Sequence, residues 1–133
     1  MAYYISEKNK ETLKIRAKNC CEYCQLPAKF TFFTFEIDHI ISQKHGGGHS
    51  LINLAYSCPL CNRNKGSDIG SIVNDDFTRF FNPRKDIWDE HFYLDDVIIQ
   101  SLTPIGEATI KILRFNDVER IMERQILLDA GLI

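Results

Sequence analysis

The chain has 133 residues, 44% apolar and 26% charged, with a net charge of −2. That length suits one domain, its Trp, five Tyr and nine Phe exclude general disorder, and no apolar run approaches the roughly eighteen residues of a membrane span. The charge is uneven: residues 1–35 carry net +3, residues 36–70 are neutral and residues 71–133 carry net −5, so an anionic partner is expected to meet the front half. The first residues, Met1-Ala2-Tyr3-Tyr4-Ile5-Ser6-Glu7-Lys8, lack a basic patch followed by an apolar core. The expectation is no signal peptide and a cytoplasmic chain.

In chain order, Ser6 is an N-cap for a helix over about 7–18, highly charged, with a thin apolar stripe of Leu13 and Ala17. A Cys21-x-x-Cys24 knuckle follows, then a break at Leu26-Pro27. The aromatic and β-branched run from Phe30 to Ile41 predicts two strands or a bent strand pair. Gly46-Gly47-Gly48 is a loop, and 50–54 a short turn or helix. A second knuckle, Cys58-x-x-Cys61, leads into the first turns of a short helix over 62–66. Residues 74–86 read as irregular, with Phe77, Phe80 and Phe81 packed inward and Asn82-Pro83 as a turn. Residues 91–94 and 97–100 flank Asp95-Asp96 as a hairpin, with His91 structural at its start. Thr103 and Pro104 start a helix over about 104–113. Asn116 caps a last helix over about 117–129, with Val118, Ile121, Met122 and Ile126 on one face and Gly131 as its stop.

Four of the five cysteines form two CxxC pairs. Each pair puts two thiolates on one tight turn, and two such turns make a closed S₄ site suited to one structural Zn²⁺, through Cys21, Cys24, Cys58 and Cys61. Cys20 is left over as a spare, partly buried thiol. A finger of this size buries too little to fold alone, so the metal is expected to contribute to folding outright.

Between and just after the pairs lie Asp38-His39, His45-Gly46-Gly47, Asn53-Leu54 and Asn62-Arg63-Asn64-Lys65-Gly66. Asp38 and Asn62 supply hard oxygen ligands for Mg²⁺ or Mn²⁺. A histidine is mostly neutral at cellular pH and able to take a proton. Taken singly each is also an ordinary strand end, turn or cap.

In order and spacing these residues resemble the HNH endonuclease family: CxxC, Asp-His and two apolar residues, Gly-Gly, Asn-Leu, then a second CxxC merging into Cys-Asn-x-x-Lys-Gly. The match covers about residues 16–68. The tail segments Phe81-Asn82-Pro83-Arg84 and Leu102-Thr103-Pro104-Ile105-Gly106 look like those of small bacterial stand-alone members. Ser42 stands where many members have Pro. Asn62 replaces the family's frequent third-letter His, as in the HNH domain of RNA-guided CRISPR nucleases.

The resemblance implies an α+β fold: a small zinc-stapled ββα-metal, treble-clef-like finger with an N-terminal helix and a C-terminal hairpin plus two helices. It implies a single nuclease domain over 1–133, core about 16–68 and accessory layer about 75–133. The implied function is a metal-dependent DNA endonuclease, nicking or cutting both strands. His39 is the general base, Asp38 and Asn62 hold one Mg²⁺ or Mn²⁺, and Asn53 aims His39. His45, Arg63 and Lys65 are substrate-contact candidates, with Arg63 and Lys65 expected where a helix N-terminus meets the phosphate. Glu36, two residues before Asp38, is a candidate support for the metal, and His49 reads as an incidental loop residue. DNA is the expected partner and a membrane is not; a homodimer is left open.

The alternative is a non-catalytic zinc-ribbon module that binds nucleic acid. A zinc deaminase fails, because the proline lies inside the Cys58–Cys61 pair and no His-x-Glu occurs. A redox dithiol leaves Asp38-His39 unexplained.

Overall fold

A computed structural model describes residues 4–133; the sequence reading of Met1, Ala2 and Tyr3 lies outside them. It combines five short α-helices with three two-stranded antiparallel hairpins among the described residues. The chain divides into two compact units. One runs to Ile69 and takes in Asn82–Arg84; the other comprises Gly70–Phe81 and Lys85–Ile133. No helix among the described residues is long and apolar enough to cross a membrane.

In the first unit, helix α1 (Glu7–Arg16) begins where Ser6 Oγ accepts from the Asn9 amide at 3.1 Å. That hydrogen bond satisfies one of the donors a helix start leaves open. Leu13 is its buried contact, packed with Ile5 and Leu54 and flanked by Ile37 and Leu51. Arg16 closes the helix end by donating to Leu51 O and Leu54 O at 2.9 and 2.6 Å.

The expected strand pair within 30–41 is only one strand, β1 (Glu36–His39). Ala28–Phe30 is a 3₁₀ turn instead, and Phe32 and Phe33 are exposed. With Phe32 and Phe33 in solvent, nothing buries a strand face there, so β-propensity alone does not make one. The partner of β1 is β2 (Leu54–Ser57), in register Glu36↔Ser57 through His39↔Leu54. Helix α2 (Pro59–Lys65) follows at once, so the second knuckle is the helix start and not a separate turn before it. The order is therefore strand, strand, helix.

In the second unit, the segment expected to be irregular is a hairpin, β3 (Gly70–Val73) with β4 (Asp76–Arg79). Asn74 and Asp75 form its two-residue turn at φ 50° and 67°. Both central residues at positive φ make the turn that matches strand twist, and Asn and Asp tolerate it. Phe80 and Phe81 are buried as expected, but Phe77 is 62% exposed. Helix α3 (Trp88–His91) precedes the hairpin β5 (Phe92–Asp95) and β6 (Ile98–Ser101). Helix α4 (Pro104–Leu113) starts with Thr103 Oγ accepting from Gly106 N.

Helix α5 (Val118–Asp129) corrects the expected face. Val118, Met122 and Ile126 are exposed, while Arg120, Arg124 and Leu127 are buried. The arginines bury their stems because their heads find carbonyls. Arg120 donates to Leu113 O at 2.7 Å at the end of α4, and Arg124 donates to Val97 O and Phe115 O. Asn116 does not cap α5. Its amide pairs with both backbone groups of Ile99, at 3.0 and 2.9 Å, and Asp117 holds the N-cap position.

Candidate nuclease site

Two turns bring the four cysteines together. The first knuckle turns tightly, with Gln25 at φ 69° and its amide on Cys21 O at 2.9 Å. It is tied to β2 by Glu22, whose amide donates to Tyr56 O while its carboxylate accepts from the Tyr56 amide. Arg84 pairs with the same carboxylate. In the second knuckle Cys58 is the N-cap of α2, and its sulfur accepts from Cys61 N at 3.4 Å, as Cys21 sulfur does from Cys24 N.

The four sulfurs lie within 4.8 Å of one another and all four residues are buried. Cys24 and Cys58 sulfurs are 3.7 Å apart, close to the edge of about 3.8 Å that a tetrahedron with Zn–S bonds of about 2.3 Å requires. Burial pushes the Cys21 and Cys61 thiols well up from their ordinary value, which a divalent cation among them reverses. The four cysteines are thus positioned to bind one zinc ion. Cys20 stands apart, its thiol donating to Lys18 O at 3.4 Å.

At the far end of β1, a cleft of about 410 Å³ is lined by Asp38, His39, Asn62, Gln43, Lys44 and Gly66, among others. Adjacent strand residues point to opposite faces. Asp38 and His39 still reach one cleft because β1 stops at His39. The chain beyond is held by Asn53, whose Oδ1 accepts from Ile41 N and whose Nδ2 donates to Ile41 O and Gly48 O, all at 2.8–2.9 Å. Gly47 lies against this latch. A Cβ there would stand 1.7 Å from Ile41 O, so only glycine fits.

Asp38 is deeply embedded. Tyr23 donates to its Oδ2 at 2.6 Å, and Lys65 Nζ lies 3.1 Å from Oδ2 and 3.3 Å from Oδ1. The side chains of Lys65 and Asp38 are only 1% and 4% exposed. Burial raises the Asp38 carboxyl above its usual range, against the pull of Lys65 and Tyr23. Lys65 also donates to His39 O at 2.9 Å, so its ammonium bridges both motif residues from beneath. It occupies the last turn of α2. The expectation that Arg63 and Lys65 lie at a helix N-terminus is therefore corrected. The helix begins at Pro59, because Cys58 takes the cap.

His39 is half-buried, and its Nε2 lies 2.9 Å from His49 Nδ1. Burial, then His49, lower its pKa from the usual 6.5, with Asp38 opposing. His49, read from sequence as incidental, is thus in direct contact with the central histidine. His45 is exposed and outside the cleft lining, as is Arg63. Glu36 lines a separate groove beside α1, with Phe33 and Lys29.

A group of four buried thiols thus stands beside a strand–strand–helix unit, with carboxylate, imidazole and amide lining one small cleft. The family model for HNH endonuclease matches residues 21–68, the stretch holding both knuckles, Asp38-His39, Asn53 and Asn62. No match was found among curated proteins or among solved structures.

Proposed function

We propose that this chain is a metal-dependent DNA endonuclease whose active site is the Asp38–His39–Asn62 cleft on a zinc-stapled ββα finger. The observation that carries it is the convergence of those three side chains on one cleft inside the family-matched stretch. Asp38 and Asn62 offer hard oxygens there. The Tyr23 hydroxyl and the nearer Lys65 contact fall on Asp38 Oδ2, so Oδ1 is the oxygen better placed for a cation. These two residues would hold Mg²⁺ or Mn²⁺. When bound, such a cation supplies positive charge to phosphate oxygens.

The protein's own groups do the rest. His39, kept largely neutral near pH 7 by its lowered pKa, accepts a proton from the attacking water. Lys65 orients the Asp38 carboxylate and the His39 backbone together, so its role is to hold the site and not to touch the phosphate. Asn53 fixes the loop beyond the strand.

The depth of the Asp38–Lys65 pair also suits a purely structural aspartate, and with it the non-catalytic binding module. Supercoiled plasmid, incubated with zinc-loaded protein with and without added Mg²⁺ or Mn²⁺, separates the two readings. The endonuclease converts it to nicked or linear DNA only with the added cation, and Asn62→Ala removes that activity. Retarded but uncut plasmid under every condition is the binding module's result.

A further inference from the structure

We infer that Lys44 is the residue by which the Asp38–His39–Asn62 cleft grips a backbone phosphate of DNA, so that the cleft takes the strand by its backbone and not by its bases. The inference deepens the endonuclease reading and rests on it for the identity of the partner.

The cations expected from sequence to meet the substrate do not reach the cleft. Arg63 and His45 are outside its lining. Lys65 is 1% exposed and committed to Asp38 and the His39 carbonyl. Lys44 is in the lining and exposed. Its ammonium takes part in no ion pair among the described residues. Asp38, the acid of the same lining, already has Lys65 as its counter-ion. The charge of Lys44 is therefore left uncompensated on the wall of a concave site, where it attracts an anion. A lysine ammonium suits phosphate as a point charge.

The backbone beneath Lys44 is fixed although its ammonium is free. Ser42, 8% exposed, donates its hydroxyl to Ser67 O at 2.8 Å. Ser42 O accepts from His45 N and Gly47 N at 2.9 and 3.0 Å. Gly46 closes the 3₁₀ turn Gln43–His45 at φ 88°, where other residues are strained. Ser42 keeps φ −65°, the angle a proline imposes, and its hydroxyl adds the tie to the segment after α2. Both tied residues line the cleft, so the lysine stands on a wall anchored at its base.

The same lining indicates what is gripped. No Phe, Tyr or Trp is among the described residues that line the cleft, so a base finds no such ring to stack on. Phosphate contacts position a strand and carry no sequence information. Contact through Lys44 is therefore independent of sequence.

Two measurements test this without needing cleavage. In the first, zinc-loaded protein without added Mg²⁺ or Mn²⁺ is mixed with a short DNA duplex, its lysines are acetylated, and the modified sites are read by mass spectrometry. DNA should protect Lys44 and leave Lys85, exposed in the second unit, reactive. The second is the salt dependence of duplex binding. Lys44→Ala should lower the slope of log K against log salt by about 0.9. Its deficit against wild type then shrinks roughly threefold between about 50 and 200 mM salt, and equally on duplexes of unrelated sequence. Lys44→Arg keeps the charge and should keep the wild-type slope. Lys44 is exposed, so both variants should fold. In plasmid nicking at low salt, Lys44→Ala should raise KM and leave kcat near wild type. An unchanged slope in Lys44→Ala, protection of Lys44 no greater than that of Lys85, or a deficit confined to one duplex sequence overturns the inference. If Lys44 is protected and carries its share of the slope but no cation-dependent cleavage exists, the grip stands and the endonuclease reading falls. Cation-dependent cleavage with Lys44 unprotected leaves that reading standing and removes the grip.

Discussion

Four buried thiols stand at the centre of the first unit, and a cluster of aromatic rings at the centre of the second. In the second, Phe92 touches Phe81, Trp88 and Phe115 at ring distances of 5.4, 5.0 and 5.6 Å, and buried arginines tie off the helix ends through carbonyls. The first has a small apolar cluster of Ile5, Leu13 and Leu54, and its largest buried side chains, Tyr23 and Lys65, are polar ones meeting on Asp38. One unit is built around four thiols positioned for a cation and a buried ion pair, the other around apolar area. The contrast teaches where function can be placed: Asp38, Tyr23 and Lys65 survive burial in the first unit because they partner one another, and Asp38 among them lines the cleft.

The largest break of that contrast is loss of the zinc. Structural zinc contributes on the order of 10 kcal/mol to small fingers, so Cys58→Ser should unfold the first unit while the aromatic unit keeps dispersed amide signals in the full chain. Cys20→Ser should retain about one zinc by elemental analysis. Loss of zinc from Cys20→Ser, or collapse of both units together, contradicts the account.

Next in size is Lys65→Met. It leaves Asp38 buried without its cation and should cost about 3–5 kcal/mol, read by denaturant unfolding, with zinc still bound. A neutral result would mean the pair is exposed to water. For the same reason Asp38→Ala strands Lys65 and confounds folding with catalysis, which makes Asn62→Ala the cleaner test of the metal site. Phe92→Ala sharpens the other side: about 3–5 kcal/mol lost from the second unit, with zinc content and cleavage unaltered at low temperature. The smallest effect is expected from Asn53→Ala, about 1–3 kcal/mol for the carbonyls and amide it strands, seen as faster hydrogen exchange at Ile41.

The gathering of Cys21, Cys24, Cys58 and Cys61 was legible, because two CxxC pairs can offer four thiolates to one ion whatever surrounds them. Helices α1 and α4 were legible from their Ser6 and Thr103 caps. The strand assignment failed where propensity and burial disagree: Phe32-Phe33 look like a strand and lie in solvent. The face of α5 was inverted because arginines rank as surface residues until carbonyls are found for them. That Asp38, His39 and Asn62 come to one cleft accords with their motif order. The place of His49 was not legible, since its approach to His39 depends on the Asn53 latch and the Gly47 contact. Lys65 is legible in the motif but its place in the last turn of α2 is not, because Cys58 takes the cap and the helix starts at Pro59.

The central claim is that the cleft is catalytic and that His39 takes the proton. The most direct measurement is the Mg²⁺-dependent nicking rate of His39→Ala beside wild type on one supercoiled plasmid, both proteins carrying equal zinc. A general base is worth about 10²–10⁴-fold, so the variant should fall by that order while still retarding DNA. His39→Ala nicking at the wild-type rate would contradict the account.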